Sequence, residues 1–110
     1  MNRKEISNLL NTYKTLIGLS DYKINLVSGY HDLGSNHIAE EDVDIYEKEI
    51  EIKLSNDFNE LCDKKKRNVL LHEIIHARIY AYNAKLEEII ATEEELLVND
   101  ITNAVECRIK

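Results

Sequence analysis

The run His72-Glu73-Ile74-Ile75-His76 is the part of this 110-residue chain whose residue types and spacing can do chemistry. On a helix, side chains four residues apart lie on one face, one turn above the other. Both imidazoles can therefore bind a single zinc ion at about 2.0–2.1 Å. Glu73, beside the first histidine, stands where a carboxylate can take a proton from a zinc-activated water and pass it to a leaving amine as general base. Zinc lowers the pKa of its water toward about 7 and polarises the scissile carbonyl. The reaction class implied is peptide-bond hydrolysis without a covalent intermediate. Val69-Leu70-Leu71 precede the run and Ile74, Ile75 and Ile79 accompany it, a setting in which unpaired polar groups would be costly.

A catalytic zinc takes a third protein ligand and leaves its fourth position to water. No histidine follows His76, so the candidates are acids further on, Glu93, Glu94 and Glu95, where the chain has room to turn back. Glu95 is favoured, because a ligand histidine usually donates its other ring hydrogen to an acceptor, and Asn99 stands one helical turn beyond Glu95. Glu94 competes, being nearer the centre of the apolar face of a helix over 93–108, and Thr92 with Glu95 also reads as a capping box. His31 and His37, in polar loops upstream, are further candidates for ligand or substrate contact.

Several elements must position these residues. Ile6, Leu9, Leu10, Tyr13, Leu16 and Ile17 recur at helical spacing and Gly18 follows, which predicts an opening amphipathic helix. Residues 22–27 read as a strand, and 43–46 and 50–54 alternate with period two as strands with one wet face. Ser55-Asn56-Asp57 supply capping side chains for one long helix, or two abutting ones, over 58 to about 82. A break over 83–92 is expected before a last helix at 93–108. The order predicts one α+β domain over residues 1–110, with helices packed on one face of a small sheet.

Composition narrows the partners. With 21 acidic and 14 basic side chains the formal net charge is −7, which argues against nucleic acid as a ligand. The basic stretch Lys64-Lys65-Lys66-Arg67 reads as a solvated helix face. Cys62 and Cys107 lack the spacing of a metal knuckle or a disulfide scaffold, and no apolar run approaches membrane-spanning length. A cytoplasmic protein with reduced thiols and no membrane partner is expected. The sequence leaves the oligomeric state open.

The residues His72-Glu73-Ile74-Ile75-His76-Ala77 and Glu94-Glu95-Leu96-Leu97-Val98-Asn99 resemble the gluzincins, zinc peptidases that combine HExxH with a downstream glutamate. The chain looks most like their compact members, the minigluzincins and the small ImmA/IrrE-like and phage-type metallopeptidase domains. The resemblance implies a zincin-like fold: an N-terminal helix, a small mostly antiparallel sheet, the HExxH helix and a C-terminal glutamate helix. It further implies Zn2+ as cofactor, a protein or peptide substrate, and 50–54 as an edge strand along which an extended peptide pairs. Tyr80, Tyr82, His31 and His37 are the residues available to stand over an oxyanion. The alternative is a zinc-containing regulatory or binding module on the same fold without proteolysis. Retention of Glu73 favours the peptidase, since a purely structural zinc needs no carboxylate beside its first histidine.

Overall fold

The computed structural model describes residues 1–28 and 37–109, with side chains through residue 105. His31 and Gly34, in the polar stretch upstream, lie outside the described residues, as does the Cys107 thiol.

Helix α1 (Arg3–Ile17) begins at a capping box. The Glu5 N–H donates to Asn2 Oδ1 at 2.8 Å, and the Asn2 N–H donates to Glu5 Oε1 at 3.4 Å. It ends at Gly18, whose φ of 90° is the left-handed conformation that glycine adopts without a Cβ penalty. Ile6 and Leu10 form its buried face.

The sheet has three strands, β1 (Lys23–Val27), β2 (Ala39–Asp44) and β3 (Glu49–Leu54), in the order β1-β3-β2. β3 runs parallel to β1 and antiparallel to β2. The expectation of a mostly antiparallel sheet is therefore corrected to a mixed one. The chain leaves β1 for the far edge and returns through a hairpin, so that β3 inserts between the other two and follows the direction of β1. This also corrects the expected edge strand: β3 is central, with Ile50 and Ile52 fully buried, and β2 is the open edge among the described residues. β2 starts earlier than the alternation over 43–46 suggested, and stops at Asp44. The Asp44 carboxylate accepts the N–H groups of Tyr46 and Glu47, each at 3.0 Å, and bends the chain out of the strand.

After β3, a single 3-10 turn (Asn56–Glu60) buries Phe58, and Leu61 is extended. Helix α2 then runs unbroken from Asp63 to Ile109, 47 residues. The break expected over 83–92 is absent, and the motif helix and the glutamate helix are one. The physical reason lies in the composition of that segment. It contains neither glycine nor proline, and Ala84, Lys85, Leu86, Glu87, Glu88 and Ala91 are all strong helix formers. Thr92 does not cap a new helix: its hydroxyl donates back to the Glu88 carbonyl at 3.0 Å, within the helix.

Leu10, Ile50, Ile52, Leu70 and Ile74 are fully buried where α1, the sheet and the first half of α2 meet. Ala77 and Ala81 continue that face, and from Lys85 to Val105 every side chain of α2 is exposed. The molecule is accordingly 73 Å long and 29 Å across, its length set by a helix of about 70 Å. Among the described residues no helix is long and apolar enough to cross a membrane.

Candidate metal centre

His72 and His76 stand one turn apart on the exposed side of α2, and their Nε2 atoms approach to 3.0 Å. The rings meet edge to face with centroids 4.5 Å apart. Two nitrogens bound to one tetrahedral zinc at 2.0–2.1 Å lie about 3.3 Å from each other, so the pair is already close to the separation that shared coordination requires. At 3.0 Å one Nε2 hydrogen-bonds the other, the donor set by the tautomer. By their spacing the two histidines fit a zinc ion as a pair of donors.

Glu73 lies deeper, on the sheet side of the cleft that the histidines line, and is only 7% exposed. Burial pushes its carboxyl up from 4.5 to about 8, helped by the hydrogen bond that protonated Glu73 donates to Glu41 and by the negative charges of Glu41 and Glu40. Two carboxyls that share a hydrogen bond require a proton between them, so Glu73 is protonated at neutral pH when no cation is near. Glu41 is there because of strand register: it pairs with Ile52 as Val43 pairs with Ile50 and Ala39 with Leu54, which places it on the inward face of β2. The sequence reading missed Glu41 because the acidic run Glu40-Glu41-Asp42 shows no apolar alternation. Its antiparallel register with the clear strand 50–54 is the signal that would have found it.

An open cleft of about 750 Å³ lies between β2 and α2, lined by Ile38, Ala39, Glu40 and Glu41 on one side and by Asn68, Val69, His72, Glu73 and His76 on the other. His37 borders it too, its Nδ1 held 3.1 Å from Glu40. Tyr80 lines a different groove, beside Glu87 and Glu88. Tyr82 lies beneath the Arg78 guanidinium, 5.9 Å from ring centroid to cation. Neither tyrosine borders the histidine cleft. In the basic stretch, Lys66 is buried with its ammonium 5.7 Å from the Phe58 ring centre, whereas Lys64, Lys65 and Arg67 are solvated as expected.

The structure does not bring the expected third ligand to this place. Glu95 follows His76 by 19 residues on the same straight helix, about 29 Å along its axis, and Glu93 and Glu94 lie only one or two residues nearer. Among the described residues no third histidine, cysteine, aspartate or glutamate joins the pair in a metal-holding group. No protein-family model matches the chain, and no curated protein matches it.

Proposed function

We propose that the chain is a zinc-dependent peptidase in which His72 and His76 hold the metal and Glu73 moves the proton. The observation that carries this reading is the 3.0 Å convergence of two histidine nitrogens in a cleft whose inner wall holds a buried, proton-bearing glutamate. Held by His72 and His76, zinc would supply Lewis acidity toward a scissile carbonyl and would activate the attacking water. The remaining work falls to the chain. A carboxyl whose proton affinity sits near neutrality can both accept a proton and return it, and Glu73 is tuned to that range by its burial and by Glu41. A divalent cation beside it favours the ionised form, which is the form a base needs.

The open edge of β2 runs along the same cleft. An extended peptide adding to that edge would pair with the outward backbone groups of β2 and lay its own backbone past His72 and His76. Substrates are accordingly unfolded segments of protein or peptide rather than compact surfaces. Elemental analysis of protein purified without a metal-affinity tag tests the reading. One zinc per chain, together with peptide cleavage that Glu73→Gln abolishes, is the expected result. Absence of zinc binding at any added concentration sinks it.

A further inference from the structure

A two-donor site and a glutamate stretch stranded on the same helix pose one geometric question: what places a carboxylate beside the histidines. We propose that a second copy of this chain does so, its α2 packing antiparallel against the first about a two-fold axis at residue 84, so that Glu94 of each copy completes the His72–His76 site of the other. The inference rests on the zinc reading above and adds to it where the third ligand comes from.

Three independent observations carry it. The first is an exposed apolar seam. Ile75, Ile79, Tyr82, Leu86 and Ile89 are 43%, 52%, 56%, 42% and 57% exposed, and they follow one another at spacings of four, three, four and three, the pattern by which helices pack side by side. The seam lies opposite the buried face of Leu70, Ile74, Ala77 and Ala81, and nothing in the described chain covers it. Four of its five members are symmetric about residue 84: Tyr82 and Leu86 lie equally far from that point, as do Ile79 and Ile89, while Ile75 falls opposite Glu93 at the rim. A two-fold contact must be self-complementary in this way, because where a residue meets a second residue of the partner, that second residue meets the first in return.

The second is charge. Residues 63–83 of α2 carry five basic and two acidic side chains, whereas residues 84–105 carry one basic and six acidic. Antiparallel pairing sets the basic half of each helix against the acidic half of its neighbour. Parallel pairing would set like against like, with repulsion along the whole length.

The third is where the symmetry lands. Position 74, midway between the histidines, and position 94 are each ten residues from 84, so they fall opposite one another. Eighteen residues at 100° per residue is a whole number of turns, so Glu94 projects from the same line of the helix as His76, while Glu93 and Glu95 point 100° to either side. A two-fold axis perpendicular to both helices keeps that line on a shared flank. With helix axes 8–10 Å apart, Glu94 of the second copy then faces the histidine pair of the first. The same geometry removes Glu95 from consideration as the ligand, because it points away from the seam.

The carboxyls on the chain's own side of the cleft are engaged, Glu41 with Glu73 and Glu40 with His37. The pairing therefore supplies the site with a carboxylate beyond those engaged among the described residues of its own chain.

The test is complementation between two defective chains, read as zinc content. Alone, His76→Ala and Glu94→Gln each lose tight zinc binding. Mixed and allowed to exchange, a quarter of the statistical sites are intact, with both histidines from the Glu94→Gln chain and Glu94 from the His76→Ala chain. Zinc should return to about a quarter of the wild-type amount per chain. Sedimentation should show the wild type as a dimer. Leu86→Lys, at an exposed position that leaves the core untouched, should give a folded monomer with zinc affinity lowered at least tenfold. A wild-type monomer that holds one zinc, together with no recovery in the mixture, overturns the pairing while leaving the metal centre standing, since it would mean that the helix folds back on its own chain. Failure of wild-type protein to bind zinc in any state overturns the metal reading on which the proposal depends.

Discussion

Glu41, on the inward face of the edge strand, and Glu73, on the buried side of α2, share a hydrogen bond between two carboxyls, and Glu73 holds its proton to about pH 8. Folding thereby takes up a proton that the unfolded chain releases near pH 4.5. Between those two values the folded state binds more protons than the unfolded one, so stability of the metal-free protein falls as pH rises. The slope approaches about 1.4 kcal/mol per pH unit at most. Urea unfolding of metal-free protein at pH 5, 6, 7 and 8 should show a steady fall, and Glu73→Gln should flatten it. Glu41→Gln removes one of the two partners and should move the fall to lower pH. A metal-free wild type whose stability is level over this range would contradict the proton held at Glu73.

Glu73→Gln separates binding from chemistry. Glutamine keeps the shape and hydrogen-bonding reach of the side chain and cannot serve as a base. Zinc content should remain at the wild-type level while peptide hydrolysis falls by roughly 10²–10⁴-fold. Equal turnover by wild type and variant on the same peptide would mean that another group moves the proton.

Both histidine side chains are exposed, so their replacement leaves no buried group unpaired. In the absence of metal, His72→Ala and His76→Ala should match the wild type within about 0.5 kcal/mol. With excess zinc the wild type gains stability by ligand linkage, and neither variant should share that gain. A thermal shift with zinc that survives either substitution would place the metal elsewhere.

Much of this arrangement was legible in the residues and the remainder had definite physical causes. α1 was readable because both its ends carry local signals, with Gly18 at the stop and an apolar stripe at helical spacing. The histidine face of α2 was readable for the same reason, since helical spacing alone puts His72 beside His76. Strand β2 was misplaced because Glu40-Glu41-Asp42 hides its inward face, and the carboxylate there answers to Glu73 rather than to water. The order β1-β3-β2 was not legible, since no local pattern tells a strand whether it will be central or at an edge. Within 83–92, where a break was expected, Asn83 and Thr92 are weak helix formers. Helix propensity summed across Ala84 to Ala91 outweighs two weak residues.

α2 joins two stretches that differ in what keeps them helical. Up to Ala81 its turns are locked by the packing of Leu70, Ile74 and Ala77 against the rest of the fold, so its amide hydrogens should exchange with solvent only when the whole domain opens. From Lys85 onward a lone chain has its own backbone hydrogen bonds and one tie to the rest of the fold, the Tyr46 hydroxyl donating to Glu88 at 3.0 Å, and about twenty residues of exposed helix fray readily in water. A dilute solution should therefore show two deuterium uptake regimes within one continuous helix, slow before residue 82 and fast after 85, and concentrating the protein should slow only the second.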